Sequence, residues 1–402
     1  MFDLLKLLSV LVLVLFLLGR RWNLGWVLLL ASVLLGALFA RPPLDLWQDF
    51  LTAALSPLTL RLAAVVIFIM MLGELLRETA GLERMAEGLE GLVRDARIVL
   101  AVWPAFIGLL PMVGGAMFSA PLVDQIGERL KIDGARRTFV NYWFRHAWEY
   151  VFPLYPSFLL GAALLGISEH RATTTLWPLF AASIAGGVLF GLVGIHREEG
   201  RRPPDQRNGL SLLARGGWPV VLVLVLALVV HVDLLIALPA VILLLIRVYR
   251  IPLERVVTII WQRIPWRTVV VIFGAMVFRQ VLESTGAVRA LSGAFAALHV
   301  PPPVLLFAVP FAAGLLTGLG TGAFSIGFPI VVPLLAHTPP SAGEIAWMWS
   351  GGFLGVMLSP MHLCLALTHD YFHARLGAVY QRLLPAVLLV GATGGGLYLL
   401  SH

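Results

Sequence analysis

Residues 108–121, GLLPMVGGAMFSAP, and residues 314–329, GLLTGLGTGAFSIGFP, decide how this chain folds. Each lies inside an apolar stretch, 98–128 and 303–336, that is too long for one membrane helix and is broken midway by Gly, Pro or Thr. Each half offers about 15 residues, against the roughly 20 needed to cross a bilayer core of about 30 Å. Paired half-helices of that length read as re-entrant hairpins. Their tips survive at membrane depth only when buried in protein or lining a cavity.

The two stretches also match each other. At an offset of 206, Gly108, Leu109, Leu110, Gly114, Phe118 and Ser119 correspond to Gly314, Leu315, Leu316, Gly320, Phe324 and Ser325. At 205, Glu78, Gly81 and Arg84 correspond to Glu283, Gly286 and Arg289, and at 207 Pro153 corresponds to Pro360. Single identities in apolar sequence are common. An ordered set that drifts by only two residues reads as an internal repeat.

Composition sets the class. Of 402 residues, 59% are hydrophobic and 13% charged, where soluble domains carry about 25% charge. The chain reads as an all-α polytopic membrane protein. Spanning helices are expected at 4–19, 22–40, 58–77, 138–165 (broken), 176–195, 217–232, 233–249, 267–283, 343–367 (broken) and 380–400. The breaks fall near 150–156 and 358–362. The first repeat covers 1–195, with scaffold helices 1–80, hairpin 98–128 and broken helix 138–165. A linker follows at 196–217. The second repeat covers 218–402, with scaffold helices 218–283, hairpin 303–336 and broken helix 343–367. Five crossings per half give the halves opposite orientation. Inverted-topology repeats are a construction principle of secondary transporters, whose site lies where discontinuous helices meet.

A net charge of +7 raises the question of nucleic acid. The basic residues sit instead in short loops between apolar runs, which is a topology signal and excludes that class. Ten crossings put twenty-two of the 29 Arg and Lys residues on one face and six on the other, with Arg145 in the membrane. Both termini then lie outside and the linker lies in the cytoplasm. The N-terminal run MFDLLKLLSVLVLVLFLLGRRW lacks a small-residue cleavage site and reads as a retained helix. The single cysteine, Cys364, reads as a small core residue.

GLLPMVGGAMFSAPLVD followed by NYWFRHAWEYVFPLYPS resembles an uncharacterised family of prokaryotic integral membrane proteins, domain of unknown function four hundred and one. That family is similar to the ion transporter superfamily of gluconate, lactate, citrate and dicarboxylate carriers. The resemblance implies a homodimer in the cytoplasmic membrane whose transport domain moves, elevator-fashion, against a fixed scaffold. It also implies anionic cargo, coupling to H+ or Na+ and no further cofactor. The hairpin tips, PMVGGAM and TGLGTGAFS, lack the Ser-Asn-Thr signature of the dicarboxylate carriers.

Site candidates cluster at the breaks and tips. Arg145, His146 and Glu149 stand within one helical turn in an aromatic, apolar run. Ionisable groups inside a membrane mark substrate or proton paths. Arg145 would hold a carboxylate or phosphate in bidentate fashion, and His146 and Glu149 would carry protons. The competing reading is an ion pair that pins the helix. Gly114, Gly115, Ser119, Thr317, Gly318, Gly320, Thr321, Gly322 and Ser325 offer backbone N–H groups to an anion, or else simply allow close packing. Ser359 and His362 stand at the second break, and His362 aligns with Tyr155. His369, Asp370 and His373 read H-D-x-x-H, a partial metalloprotease pattern. The sequence therefore raises three functions: an ion-coupled carrier of a small anion, a carrier of a lipid-linked phosphate, and an intramembrane metal-dependent hydrolase. The carrier of a small anion, not an enzyme, accounts for the most residues.

Overall fold

The computed structural model describes residues 2–20, 22–92, 95–109, 116–196, 206–287 and 299–401, and every regular element among them is helical. The first half runs through α1 (Phe2–Gly19), α2 (Leu24–Leu38), α3 (Pro43–Ala54), α4 (Pro57–Glu78) and α5 (Gly81–Leu92). It continues with α6 (Ala96–Gly108), α7 (Ala116–Arg129), α8 (Gly134–His146), α9 (Pro156–Leu164) and α10 (Glu169–Gly187). The second half comprises α11 (Gln206–Leu224), α12 (Leu234–Tyr249), α13 (Leu253–Thr258), α14 (Trp266–Ser284) and α15 (Pro302–Thr317). It ends with α16 (Gly320–Val331), α17 (Ala342–Leu358), α18 (Leu363–Tyr371) and α19 (Leu376–Leu400).

Among the described residues five helical segments are long and apolar enough to cross a membrane: Pro57–Glu78, Glu169–Leu192, Arg207–Val229, Ala342–Tyr371 and Leu376–Leu400. A sixth forms if Leu253–Arg263 and Trp266–Ser284, bent by 56° at their junction, count as one span. About ten crossings were the expectation from sequence; five or six of them meet that length among the described residues. Several apolar helices are simply short: Leu24–Leu38 has 15 residues and Leu234–Tyr249 has 16. At 1.5 Å per residue such helices cover only about 22–24 Å. Large apolar side chains on the outside, among them Val221, Ile236, Leu243 and Val248, are exposed. A contiguous apolar exterior of this kind suits lipid rather than water. This is a multi-pass membrane protein.

Both predicted hairpins are helix pairs whose arms pack on each other, α6 with α7 and α15 with α16. In the second, α15 ends because Gly318 takes a left-handed conformation (φ 64°) and its N–H returns to the carbonyl of Gly314 at 2.8 Å. Glycine adopts that geometry without the Cβ penalty. Leu319 is extended, and Gly320 starts the return helix. The first tip, with Gly114 and Gly115, lies outside the described residues.

Both helix breaks are present. The first runs from the 3-10 turn Ala147–Tyr150 to Pro156, which occupies the first turn of α9. The second occupies 359–362, between α17 and α18. Broken helices leave carbonyls without intrahelical partners, and nearby side chains supply them. Tyr142 donates to the Met357 carbonyl at 3.2 Å, Tyr380 to Leu358 at 2.7 Å and Thr173 to Val151 at 3.0 Å.

The hairpins and broken helices interlock in a reciprocal pattern. In the first half α6 packs on α8 and α7 on α18; in the second α15 packs on α17 and α16 on α9. A methyl group at Gly108 would overlap the carbonyl of Arg145, and one at Gly314 would overlap that of Gly352. Those two close approaches sit at matching places in the two halves, offset by 206 and 207 residues. The remaining helices frame this core, with α2 against α14 and α5 against α11.

Candidate functional site

The polar segment of α8 ends at the first break, where local sequence controls geometry. Asp133 caps the helix by accepting from the Arg136 N–H at 2.9 Å. Thirteen residues later the α-helix tightens into the 3-10 turn, which places His146 and Glu149 on the same side. Arg145 and His146 are each only 2% exposed. The His146 Nε2 lies 3.8 Å from the Glu149 Oε1.

The two breaks meet through their imidazoles. His146 Nδ1 is 2.7 Å from the Tyr142 carbonyl, and His146 Nε2 is 3.1 Å from His362 Nε2. A carbonyl only accepts, so Nδ1 of His146 carries the proton and donates it. With both rings neutral, Nε2 of His146 then accepts from Nε2–H of His362. The rings meet edge to face, with centroids 4.7 Å apart. Tyr142 packs against both of them.

These groups line a cavity of about 230 Å³. Its wall includes Arg145, His146, Glu149, Tyr155 and Ser157 from the first broken helix, and Gly318, Leu319, Gly320 and Thr321 from the second hairpin. His362, Leu363 and Cys364 come from the second broken helix, while Met70 of α4 and Thr268 of α14 close it from the framing helices. Three helix N-termini open onto this one space: α9 at Pro156, α16 at Gly320 and α18 at Leu363. Each presents unsatisfied N–H groups and the positive end of a helix dipole.

Eight of the residues singled out from sequence converge here: Arg145, His146, Glu149, Tyr155, Gly318, Gly320, Thr321 and His362. Others face elsewhere. Ser119 donates to Asn141 Oδ1 at 2.6 Å, and Ser359 donates to the Leu315 carbonyl at 2.6 Å, so both brace hairpins. Thr317 donates to the Ala313 carbonyl at 2.7 Å and accepts from the Leu319 N–H at 3.3 Å, holding the tip in shape. Ser325 is fully buried, and a Cβ at Gly322 would press on the Thr317 side chain. These small polar residues are engaged in contacts within and between the helices and do not line the cavity.

His369, Asp370 and His373 do not assemble into a ligand set among the described residues. His373 lies past the end of α18 in a left-handed conformation (φ 50°), which destroys the one-face spacing of an i,i+4 pair. Cys364 is the small core residue read from sequence, and it also lines the cavity two residues beyond His362. Its position at the start of a helix that follows a break was the available signal. Ser157, just after Pro156, was missed for want of the same rule.

Behind the same 3-10 turn lies a second, apolar cavity of about 520 Å³ lined by Phe106, Trp148, Phe152, Trp177, Leu213 and Val220 among others. Trp148, which lines this cavity, donates to the Ala105 carbonyl at 2.8 Å.

The fold and cavity together define an all-helical, multi-pass membrane protein with a polar chamber at the meeting point of two helix breaks. The chain belongs to the family described as "Protein of unknown function (DUF401)", whose model matches residues 2–399. No curated protein matches the sequence.

Proposed function

We propose that this protein is an ion-coupled secondary transporter that carries a small organic anion across the cytoplasmic membrane of a prokaryote. The observation that carries the reading is the convergence of three helix N-termini and the buried Arg145 on one chamber of about 230 Å³. Aligned N–H groups and a guanidinium favour a carboxylate or phosphate over a neutral or cationic cargo. His146 and Glu149 carry the coupling proton beside the anion, with Na+ as the other candidate coupling ion.

The reciprocal packing of hairpins on broken helices, and the matched close approaches at Gly108 and Gly314, support two inverted repeats with ten crossings. On this reading α6–α10 and α15–α19 form the moving domain. The helices α1–α4 and α11–α14 form the scaffold of a homodimer, and both termini lie outside. The chamber sits between the two groups, since Met70 and Thr268 belong to scaffold helices. An elevator movement would expose it to each side in turn.

Purified protein in liposomes tests this with a panel of small carboxylates and inorganic phosphate under imposed pH or Na+ gradients. Uptake faster than through empty liposomes supports the carrier, and no acceleration for any anion under either gradient sinks it. The apolar cavity behind Glu149 specifically favours a second reading, in which the anion is the phosphate head of a lipid. A lipid-phosphate scramblase assay in the same liposomes separates the two.

A further inference from the structure

We propose that His146, His362 and Cys364 form a binding site for a transition-metal ion of the zinc type, with Glu149 as fourth donor. The site lies in the same chamber and does not depend on the transport reading, but ion and coupling proton compete for His146 and Glu149, so a chain with the ion bound would couple through Na+ instead. One ligand atom from each of the three residues lies within 4.8 Å of the others, and all three residues are buried. The two Nε2 atoms are already 3.1 Å apart. Tetrahedral zinc with Zn–N bonds of about 2.05 Å would set them about 3.3 Å apart. Glu149 Oε1 stands 3.8 Å from His146 Nε2, outside the three-residue cluster, and would join the shell by swinging its carboxylate toward the ion.

The imidazole of His146 is oriented for the task. Its Nδ1–H is committed to the Tyr142 carbonyl at 2.7 Å, which leaves the Nε2 lone pair aimed into the cluster. Metal-binding histidines are held by this same backbone contact on the far nitrogen. Donor chemistry selects the ion: two imidazoles, a thiol and a carboxylate suit Zn2+, Co2+ or Cu+ rather than Mg2+, Ca2+ or Na+.

Charge accounting resolves the conflict with the electropositive walls. On binding, Cys364 gives up its thiol proton to solvent, and His362 shifts its ring proton from Nε2 to Nδ1, freeing the Nε2 lone pair for the ion. The thiolate and the Glu149 carboxylate then neutralise a divalent ion, so Arg145 and the helix N-termini keep their attraction for an anion. Because His146 ends α8 while His362 and Cys364 flank the start of α18, the ion would staple the two breaks together.

The test uses full-length protein without a polyhistidine tag, stripped with chelator in detergent and titrated with Co2+. One Co2+ per chain is expected, with tetrahedral d–d absorption and a thiolate-to-cobalt charge-transfer band, both erased by Zn2+. Cys364→Ser should remove the charge-transfer band, and His362→Gln should weaken binding by more than about tenfold. Absence of saturable Co2+ uptake by the unmodified chain overturns the proposal, as does a spectrum that Cys364→Ser leaves unchanged. The unmodified spectrum decides the matter by itself if either variant fails to fold. Flux through liposomes is a separate readout, so failure of the metal site and failure of the carrier reading are told apart.

Discussion

The two broken helices hold matching places in the two halves, yet they are built from different chemistry. The first, 134–164, is crowded with aromatic and ionisable side chains, and its break takes a 3-10 turn followed by five residues before Pro156. The second, 342–371, reads WSGGFLGVML up to its break and resumes after only four residues. Where the first carries Arg145, His146 and Glu149, the second carries the apolar Gly352, Phe353 and Val356 at an offset of 207. The Gly351, Gly352 and Gly355 positions let the carbonyls and helix surface of the second hairpin come close. The two broken helices thus contribute differently to the one chamber. The first half supplies the charged groups, one imidazole and one helix N-terminus, while the second supplies two helix N-termini, one imidazole and one thiol.

The sharpest way to break this comparison is steric. Gly108→Val and Gly314→Val each force a side chain into a carbonyl of the facing helix, at Arg145 and Gly352 respectively. Both should cost about 3 kcal/mol, the upper end for overpacking, read as a loss of thermal stability in detergent. Equal losses support equivalent halves, and a tolerant Gly314→Val would undo the equivalence.

Function should be far less symmetric. Arg145→Ala should cut anion flux by about a hundredfold, in line with the 2–5 kcal/mol lost when a buried charge contact is truncated. It should also abolish the stabilisation that bound anion confers on the unmodified chain. A neutral substitution in the second half, Gly391→Ala, should leave flux within about twofold, since a methyl group there meets only the flexible end of Leu354 at 3.3 Å.

Glu149→Gln separates binding from coupling. Anion exchange at equal pH on both sides should persist, while uptake driven by a pH gradient should fall by about tenfold or more. The smallest effect belongs to the braces. Ser359→Ala removes its bond to the Leu315 carbonyl and should cost about 1 kcal/mol, with Ser119→Ala similar through its bond to Asn141. Neither should change the pH dependence of flux.

The broken helices and hairpins were readable because each announces itself chemically. Pro153, Pro156 and Pro360 stop helices, and paired apolar arms of about 15 residues leave few alternatives. Breaks expected near 150–156 and 358–362 are observed at 147–155 and 359–362. The short helices α3, α5 and α13 were not readable, because Asp45, Asp49, Glu83, Glu87 and Glu254 dilute their hydropathy. Their apolar faces are narrow, and only neighbours such as α14 against α3 and α11 against α5 reveal what those faces cover. Apolar length was also a poor guide to helix length: Leu24–Leu38 stops short of the run 22–40 that encodes it.

Sequence alone carried the membrane class and the identity of the charged break, because burying Arg145, His146 and Glu149 in an apolar run is too costly to be accidental. It could not bring His146 and His362 together, since 216 residues separate them and no local pattern encodes their meeting. That contact arises only when α8 and α18 cross at the centre of the core. The same crossing brings the buried Cys364 to the wall of the chamber beside His362. Local chemistry decides what a residue can do, but which partners it meets is set by long-range packing.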